Sequence, residues 1–321
     1  MAMPTKILLA LTGIHPRSEK TIQATQDWER QRISDAALKR EFEEDVGSLL
    51  RLQDTLSFDY VSDGQLTTTW QDLLTPITAG VRGVKKGPLV RWFNTNTFYY
   101  VPIVEGPLSV DGEELARSVT TSKSRPKVVL VDPLTFAECS EDRHYGSKEA
   151  LILAYCDGLL APLLRGLEKE GVAYVQFSAP GLVARFRGER WSDQETSPVA
   201  EGLRSALKGR RIRSGYQTFF GDAEPYFDFL LDSIPTDDVG IDLTETDAAA
   251  IPGTAKGIVA GVADARSSYV EEPPELARRL GSLPERTKTL TLAPSCDLRY
   301  VPRLIADEKA KNLARTRKLL N

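Results

Sequence analysis

The sequence predicts an α/β protein with the fold of a (β/α)₈ barrel, a single domain over residues 1–321. Eight short β-rich segments alternate with amphipathic helical segments along the chain, which is the order of elements in such a barrel. Several of these segments, such as "VVLV" and "GIVAGV", are continuous apolar runs, as expected for strands that a parallel sheet buries on both faces. A doubly wound open sheet normally carries G-x-G-x-x-G in its first turn. The first turn here, "LTGIHPRSEK", has one glycine, so the barrel is favoured.

The predicted strands are Lys6–Thr12, Phe58–Ser62, Lys127–Asp132, Ala173–Phe177, Ile212–Phe219, Val239–Leu243, Gly257–Val262 and Thr289–Ala293. The predicted helices are Ser34–Thr55, Gly112–Val119, Lys148–Lys169, Val199–Leu207, Glu224–Ile234, Glu275–Leu283 and Ile305–Leu319. Pro162 should kink or interrupt the third helix, because proline removes a backbone donor and clashes with the preceding turn. The segment Asn94–Glu105 is additional to the eight strands and is predicted to form an extended ribbon at the barrel mouth.

Charge and composition argue against several classes of partner. The net charge of −4 and the pI of about 5.5 argue against nucleic acid as the partner. The apolar runs are shorter than a membrane-spanning helix requires, and the first of them lacks a signal-peptide cleavage site. Three cysteines suit a reducing compartment better than a disulfide framework. We therefore expect a cytoplasmic protein without a membrane or nucleic-acid partner.

Acidic residues follow the predicted strands, where a barrel builds its site. They are Asp63, Asp132, Asp222, Asp242, Glu245, Asp264 and Asp297, with Cys296 beside the last of them. Two interpretations stay open. The acids cap the backbone amides that follow each strand, or some of them carry chemistry, with Cys296 as a nucleophile or metal ligand. A buried cysteine that packs as a small apolar group is the alternative for Cys296.

Histidine is scarce, with only His15 and His144 in the chain. Neither Cys-X-X-Cys nor His-X-X-X-His occurs, so the usual ligand pairs of a zinc site are missing. His15 lies in the first loop, where it is either a general base or a residue that contacts the rim. His144 lies among polar residues and is expected to be exposed. The sequence predicts no metal site in this chain.

The stretch "RWFNTNTFYYVP", residues 91–102, combines Arg91 with five aromatic residues and two asparagines. Arg82, Lys85 and Lys86 precede it. Cations beside stacking rings suit a ligand with a flat heterocycle and an anionic tail. The alternative is that the aromatic side chains pack under the barrel rim.

The whole sequence resembles the cobalamin-independent methionine synthase family, and most closely the N-terminal barrel of the two-barrel enzyme. "RWFNTNTFYYVP" is similar to the family stretch Lys-Trp-Phe-Asn-Thr-Asn-Tyr-His-Tyr-X-Val-Pro. "TGIHPR" resembles the family's Gly-Phe-Pro-Arg opening, and "APSCDLRYVP" resembles the Ser-Ser-Cys-Ser-Leu block before the last helix. "LLAPLLRGLEKEGVAYVQFSAPGLV" and "YQTFFGDAEPYFDFLLDSIPTDDVGIDLTE" resemble the segments between them.

The resemblance implies a zinc site in the family's C-terminal barrel, made by His-X-Cys, a Glu and a late Cys. The His-X-Cys positions fall on Thr218 and Phe220 here, and the Glu falls near Asp242. Only Cys296 matches a ligand, so Cys296 and Asp242 are the candidate catalytic residues. The family's Asp-Glu-Pro, which holds the amino acid substrate, reads as residues 178–180, "SAP".

The resemblance also implies that an N-terminal barrel helps to hold the folate polyglutamate tail. The residues that match, or lie nearest to, the family's tail-binding positions are Arg17, Lys20, Arg91, Trp92, Asn94 and Asn96. The resemblance implies no bound cofactor, with methyltetrahydrofolate polyglutamate as the ligand, and no zinc in this chain.

The expected function is that of a stand-alone N-terminal-type barrel. It would assist methyl transfer to homocysteine together with a separate zinc-bearing methionine synthase barrel as its partner. Two alternatives stay open. One is an autonomous methyl or alkyl transferase with an altered metal site or no metal, and the other is a non-catalytic pterin-binding module.

Overall fold

A seven-stranded parallel β-sheet forms the centre of the protein. The computed structural model describes residues 6–68, 70–120, 124–184 and 190–321. Its strands are β1 (Lys6–Leu9), β2 (Val81–Arg91), β3 (Phe98–Val110), β4 (Lys127–Val131), β5 (Glu141–Asp142), β6 (Tyr174–Ser178), β7 (Arg213–Gln217), β8 (Asp238–Asp242), β9 (Gly257–Ala263) and β10 (Thr289–Pro294). The sheet has the order β1-β10-β9-β8-β7-β6-β4, all parallel. It curls into half a barrel, which confirms the α/β class.

Seven of the eight predicted strands are present in this sheet, and the eighth is reduced. The predicted strand at 58–62 keeps two parallel bridges, between Ala10 and Tyr60 and between Val61 and Pro126. The side-chain amide of Gln53 accepts from the backbone N–H of Ser62 at 3.0 Å and donates to its carbonyl at 2.7 Å. These backbone groups are therefore satisfied by a side chain, and the strand ladder stops there.

Helices pack outside the sheet. In the described part of the chain they are α1 (Glu19–Glu29), α2 (Asp35–Thr55), α3 (Thr75–Thr78), α4 (Gly112–Val119), α5 (Pro133–Cys139), α6 (Lys148–Tyr155), α7 (Ala161–Lys169), α8 (Pro180–Val183), α9 (Asp193–Leu207), α10 (Pro273–Leu280), α11 (Leu283–Arg286) and α12 (Arg303–Leu320). The prediction for α4 is confirmed residue for residue. Helix α9 begins before the predicted Val199, because Ser192 and Glu195 form a capping box at its start. The predicted helix Glu224–Ile234 is a 3₁₀ turn followed by a π-helical turn.

The interruption predicted at Pro162 is confirmed. A π-helical turn, Cys156–Leu160, separates α6 from α7 and ends just before the proline. The whole segment Lys148–Lys169 is 22 residues long and is apolar enough to cross a membrane by length and composition. Its apolar side chains, including Leu151 and Leu163, are buried inside the protein, as in the core helix of a globular domain.

The predicted ribbon is the second strand of a long antiparallel hairpin. Strands β2 and β3 pair from Val81↔Val110 to Arg91↔Phe98, and residues 92–97 form the turn. The sequence analysis missed β2 because its lysines and glycines obscure the alternation of apolar residues. The hairpin packs tightly on the π-helical turn, since a Cβ at Gly158 would lie 2.1 Å from the carbonyl oxygen of Leu108.

Glycines inside the curled sheet make room for large polar side chains. A Cβ at Gly215 would lie 2.0 Å from the hydroxyl of Tyr174, and one at Gly240 would lie 2.6 Å from Cγ of Gln217. The interior of a (β/α)₈ barrel is normally filled by Val, Ile and Leu. Here polar side chains cross the interior over the glycines of the next strand.

Candidate functional site

A cleft of about 710 Å³ lies between the loop after β1, helix α1, the loop after β10 and the start of α12. Its lining residues are Pro16, Arg17, Ser18, Glu19, Ile22, Thr25, Gln26, Glu29, Gln71, Arg299, Val301, Pro302, Arg303 and Leu304. Loops at the C-terminal ends of parallel strands are where a barrel places its site. The volume is in the range of small-molecule sites. This cleft is therefore the candidate binding site.

Three arginines line the cleft beside Glu19 and Glu29, and two of these arginines come from the last loop and the last helix. Arg303 donates to Asp45 at 2.7 Å and to both carboxylate oxygens of Asp307 at 2.9 and 3.1 Å. It also donates to the carbonyl of Pro16 at 3.3 Å. These bonds fix the start of α12 against the first loop, although 287 residues separate Arg303 from Pro16 in the chain.

Arg299 is nearly buried, and its two hydrogen bonds go to neutral groups. It donates to the carbonyl of Gln71 at 2.7 Å and to the hydroxyl of Tyr300 at 3.1 Å. Its Nε lies 3.9 Å from the Asp297 carboxylate. Among the described residues this Nε has no hydrogen-bond partner. A guanidinium that lines a cleft can bind a carboxylate or phosphate group.

Arg17 is the predicted site residue that lies in this cleft. Its guanidinium lies 5.0 Å from the centre of the Phe42 ring, and burial lowers its pKa to about 10. It stays charged at neutral pH. The neighbouring Ser18 caps the 11-residue helix α1 by accepting from the N–H of Thr21. The positive end of a helix thus adds to the field of the arginines.

Lys20, also predicted as a site residue, points away from the cleft into an acidic pair. Its ammonium lies 2.9 Å from Glu41 and 2.8 Å from Glu44, and the bond to Glu44 raises the pKa of Lys20. Arg91 lines a different cavity of about 130 Å³, together with Tyr99 and Glu138. The structure therefore separates the predicted cations into three places.

The aromatic stretch 91–102 packs largely on protein. Trp92 is 1% exposed and meets Phe93 and Tyr99 edge to face, with ring centres 4.7 and 5.4 Å apart. The guanidinium of Arg299 lies 6.0 Å from the Trp92 ring. Asn94 and Asn96 are exposed on the turn of the hairpin. The packing interpretation explains Trp92. Phe93 and Tyr99 also line the cavity at Arg91, and the ring of Phe98 is exposed.

Two phenylalanines meet over the sheet in strained backbone conformations. Phe93 has a φ of 45° and Phe220 a φ of 77°, and their ring centres are 6.0 Å apart. The Phe220 ring also lies 5.9 Å from Tyr300. Bulky residues with positive φ are uncommon and cluster at functional sites. The hairpin turn, the loop after β7 and the loop after β10 thus meet in one aromatic cluster.

The acids after the strands mostly cap backbone amides, which confirms the capping interpretation for them. The pairs of carboxylate and N–H are Asp63 with Gln65, Asp132 with Leu134, Asp222 with Glu224, Asp242 with Thr244, and Asp264 with Arg266, each two residues on. Asp297 instead accepts from the N–H of Ile14, in the loop after the neighbouring strand β1, at 3.0 Å.

Asp242 and Cys296, the candidate catalytic residues, are both fully buried. One oxygen of Asp242 accepts from the N–H and the hydroxyl of Thr244, and the other has no hydrogen-bond partner within the described chain. Burial raises the pKa of the Asp242 carboxyl. Burial also raises the pKa of the Cys296 thiol well above its usual range, and a protonated thiol is neither a nucleophile nor a metal ligand. A catalytic role for these two residues stays a prediction.

His15 contacts the last helix. It is buried, and its Nε2 lies 2.9 Å from Asp307. Asp307 also accepts from Arg303, so His15 and Arg303 share one carboxylate. Burial lowers the pKa of His15, so the imidazole is neutral at physiological pH. His144 is exposed, as predicted.

The comparisons with known proteins match this geometry to one family. The profile described as "Cobalamin-independent synthase, N-terminal domain" matches residues 59–288, well over half of the chain. The chain belongs to this family. The resemblance predicted from "RWFNTNTFYYVP" is thereby confirmed.

Individual relatives of this synthase family fall into two size classes. The chain is 23% identical to a methionine synthase of Sulfurisphaera tokodaii, over 99% of this chain and 92% of the relative. It is 28% identical to a 5-methyltetrahydropteroyltriglutamate–homocysteine methyltransferase of Herpetosiphon aurantiacus, over 73% of this chain and 31% of the relative. The chain thus spans nearly all of the first relative and about a third of the second.

A solved structure supports the fold of the family member. A B12-independent methionine synthase from Shewanella sp. W3-18-1 superposes with a TM-score of 0.75 at 18% identity, covering 99% of this chain and 98% of that chain. At this identity the likeness shows the fold alone.

The zinc ligands of the related C-terminal barrel do not fit this synthase-family chain. The Thr218 hydroxyl donates to the carbonyl of Gly240 at 3.0 Å, and Phe220 places a ring in the aromatic cluster. Cys296 keeps the one soft ligand, and a single thiol does not make a zinc site. Within the described ranges, no group of three or more His, Cys, Asp or Glu residues is placed to hold a metal ion. The residues at these positions therefore do not suit zinc.

Sequence reasoning missed Arg299 and Arg303, two of the three arginines that line the cleft. Both stand in "DLRYVPR", directly after Cys296. In this segment only the cysteine was named as a candidate site residue. The signal that could have found them is two arginines within five residues after the last predicted strand.

Proposed function

We propose that this chain is a (β/α)₈ barrel of the N-terminal methionine synthase type, with the Tyr60–Val61 segment as its eighth strand. It works beside a separate zinc-bearing barrel in methyl transfer from a methyl-folate donor to homocysteine. The observation that carries the proposal is the pair Thr218 and Phe220 in place of the His-X-Cys ligands, with the Phe220 ring packed against Phe93 and Tyr300. A site filled by a packed ring has to obtain its thiolate chemistry from a partner.

The cleft at Arg17, Arg299 and Arg303 is proposed as the place that holds the anionic tail of the folate donor. Three guanidinium groups and a helix N-terminus supply positive charge, and each glutamate of a polyglutamate carries a carboxylate. The exposed side chains of Ile22 and Leu304 add an apolar edge for the aromatic part of the donor. The names of the longer relatives, which act on a pteroyltriglutamate, support this ligand class.

The partnership is tested with purified proteins. Methyl transfer from 5-methyltetrahydropteroyltriglutamate to homocysteine is measured for a zinc-bearing barrel alone, for this chain alone and for the mixture, with size-exclusion chromatography for the complex. We expect a complex and a rate above the sum of the two proteins. A mixture that forms no complex and transfers methyl groups no faster would reject the proposal.

The cleft is tested with a matched pair of charge-removing variants. Arg17→Met removes a guanidinium of the cleft, and Lys20→Met removes a cation that lies outside it and is paired with Glu41 and Glu44. A charge-assisted hydrogen bond contributes about 1.5–3 kcal/mol, so Arg17→Met should weaken binding of the triglutamate by about tenfold or more. Lys20→Met should leave it within about twofold. Equal losses for the two variants in titration calorimetry would place the tail elsewhere.

An autonomous methyl or alkyl transferase is the second candidate. It is favoured by the archaeal relatives named methionine synthase, of which this chain covers 92%. Turnover by the chain alone, together with a stoichiometric metal ion after purification, would select it. A non-catalytic pterin-binding module would instead be stabilised by folates against heat without turnover, alone or with a partner. All three functions place the chain in the cytoplasm.

A further inference from the structure

Three polar side chains on neighbouring strands point into the curled sheet near the C-terminal ends of these strands. The amide of Gln176 on β6 donates at 2.5 Å to the carbonyl of Thr12, which follows the edge strand β1, so this side chain crosses the interior. The side chain of Gln217 on β7 lies over Gly240 of β8. Asp242 stands two residues after Gly240 on the same strand and therefore on the same face. Gln176, Gln217 and Asp242 are each at most 1% exposed and form one buried polar layer.

This polar layer has more hydrogen-bonding atoms than partners. The oxygen and the nitrogen of the Gln217 amide, the amide oxygen of Gln176 and one carboxylate oxygen of Asp242 have no hydrogen-bond partner among the described residues. Buried polar atoms are nearly always paired with protein, water or a ligand. Three of these four atoms are acceptors, and one of the three belongs to a carboxylate. A primary ammonium group, with three N–H donors and a positive charge, complements them in number and in sign.

The aromatic cluster lies directly beyond the polar layer. Phe220 follows Gln217 by three residues, in the loop after β7. Its ring centre lies 6.0 Å from that of Phe93 and 5.9 Å from that of Tyr300. The guanidinium of Arg266, in the loop after β9, lies 5.6 Å from the centre of the same ring. The hairpin turn and the loops after β7, β9 and β10 thus meet around the Phe220 ring.

The backbone of Phe220 is strained in this position. Its φ of 77° lies in a region that bulky side chains rarely adopt, and Phe93 opposite it has a φ of 45°. Such strain persists where the surrounding packing holds it, and it is found in ligand clamps and switch segments. Rotation of the Phe220 backbone to an extended conformation would relieve the strain and take the ring away from the end of β7.

Cys296 lies in the same region and can report on it. The side chain is buried. Burial raises the pKa of its thiol, Asp297 and Asp242 add to the rise, and Arg266 opposes it. The thiol is therefore close to the carboxylate of the polar layer and to the guanidinium beside Phe220. Its rate of alkylation measures whether the ring covers this region.

We propose that the Phe220 ring is a lid over a second binding site, separate from the arginine cleft, where a small ammonium compound takes the place of the ring. When the ring leaves, the ammonium group donates to the carboxylate oxygen of Asp242 and to the amide oxygens of Gln176 and Gln217. The amide nitrogen of Gln217 donates to an acceptor on the ligand or to water. Binding is non-covalent, and return of the ring closes the site.

The lid is tested by alkylation of the intact chain with iodoacetamide, followed for each cysteine by peptide mass spectrometry. Phe220→Gly removes the ring and places a residue that accepts a positive φ without strain. Opening both exposes and hydrates the thiol, so Cys296 should react about tenfold faster, or more, than in the unchanged protein. Cys156, in the π-helical turn, and Cys139 should change by less than about twofold, since the fold is kept. An unchanged rate at Cys296, or an equal rise at all three cysteines, overturns the proposal.

The ligand class is tested by thermal unfolding with methylammonium chloride as the probe and potassium chloride at the same ionic strength as its control. Methylammonium should raise the Tm of Phe220→Gly by about 2 °C or more above the value in potassium chloride. Addition of Asp242→Asn removes the carboxylate and should abolish this difference. Equal Tm values in the two salts, or a difference that Asp242→Asn leaves intact, would refute an ammonium site. Neither measurement involves methyl transfer or the arginine cleft, so its failure leaves the function proposed above untouched.

Discussion

Removing the hydroxyl of Tyr216 should destabilise the protein more at high pH than at low pH. Both Tyr216 and Asp132 are buried, and the phenol donates to the Asp132 carboxyl at 2.8 Å. The same carboxyl accepts from the N–H groups of Leu134 and Thr135 at 2.9 Å each. Burial nevertheless dominates and raises the pKa of Asp132 to about 6. The carboxyl is thus neutral at pH 5 and charged at pH 8.

The sign of this linkage follows from the raised pKa. An unfolded aspartate has a pKa of about 3.9, so between pH 4 and pH 6 the folded state binds the proton that the unfolded state has lost. The stability that Asp132 contributes is therefore complete below pH 4 and is lost as the pH rises through 6. A shift of about two units corresponds to about 3 kcal/mol.

Tyr216→Phe should lower the free energy of unfolding by different amounts at pH 5 and at pH 8. At pH 5 the variant loses a hydrogen bond between neutral groups, about 1 kcal/mol, and at pH 8 it loses one to a carboxylate, about 2 kcal/mol. Urea unfolding at the two pH values should therefore give a loss that is about 1 kcal/mol larger at pH 8. Tyr155→Phe is the matched control, because its buried hydroxyl donates to the carbonyl of Val131 at 3.0 Å, which does not titrate. Equal losses for Tyr216→Phe at both pH values would refute a titrating Asp132.

Two further predictions concern close packing and thiol reactivity. Gly13→Ala should cost about 1–3 kcal/mol in urea unfolding, because its Cβ would lie 2.0 Å from a carboxylate oxygen of Asp297. Gly253→Ala, with open space around it, should be neutral or slightly stabilising, and a similar cost for both would contradict the packing argument. Cys296 should not react with iodoacetamide in the folded protein, since burial raises the pKa of its thiol. Alkylation of folded protein at the rate seen in urea would show that the thiol is accessible.

The fold could be predicted because apolar runs mark buried parallel strands directly. All seven strands of the central sheet begin within one residue of the predicted start. The strand at 58–62 was overestimated because Gln53, an earlier helical residue, bonds to its backbone. Strand β2 was missed because an exposed ribbon needs no apolar run. Helix α1 was missed because the signal for its start is only Ser18 and the acid after it.

The candidate site was only half predictable, for a geometric reason. Arg17 was named from the first loop, but Arg299 and Arg303 join it from the far end of the chain, and no local pattern states that the two ends meet. Trp92 was predicted to bind a ligand because its neighbours in the sequence are cationic and aromatic residues. A sequence cannot say whether an aromatic ring packs on a ligand or on Phe93 and Tyr99, since both fit the same composition.

The arginine cleft and the aromatic cluster are physically one assembly, and Arg299 is the residue that joins them. One side of its guanidinium lies along the cleft, where it bonds to the carbonyl of Gln71, and the other lies near the rings of Trp92 and Tyr300. Because Arg299 also lies 3.9 Å from Asp297, an anion that binds it in the cleft competes with that carboxylate.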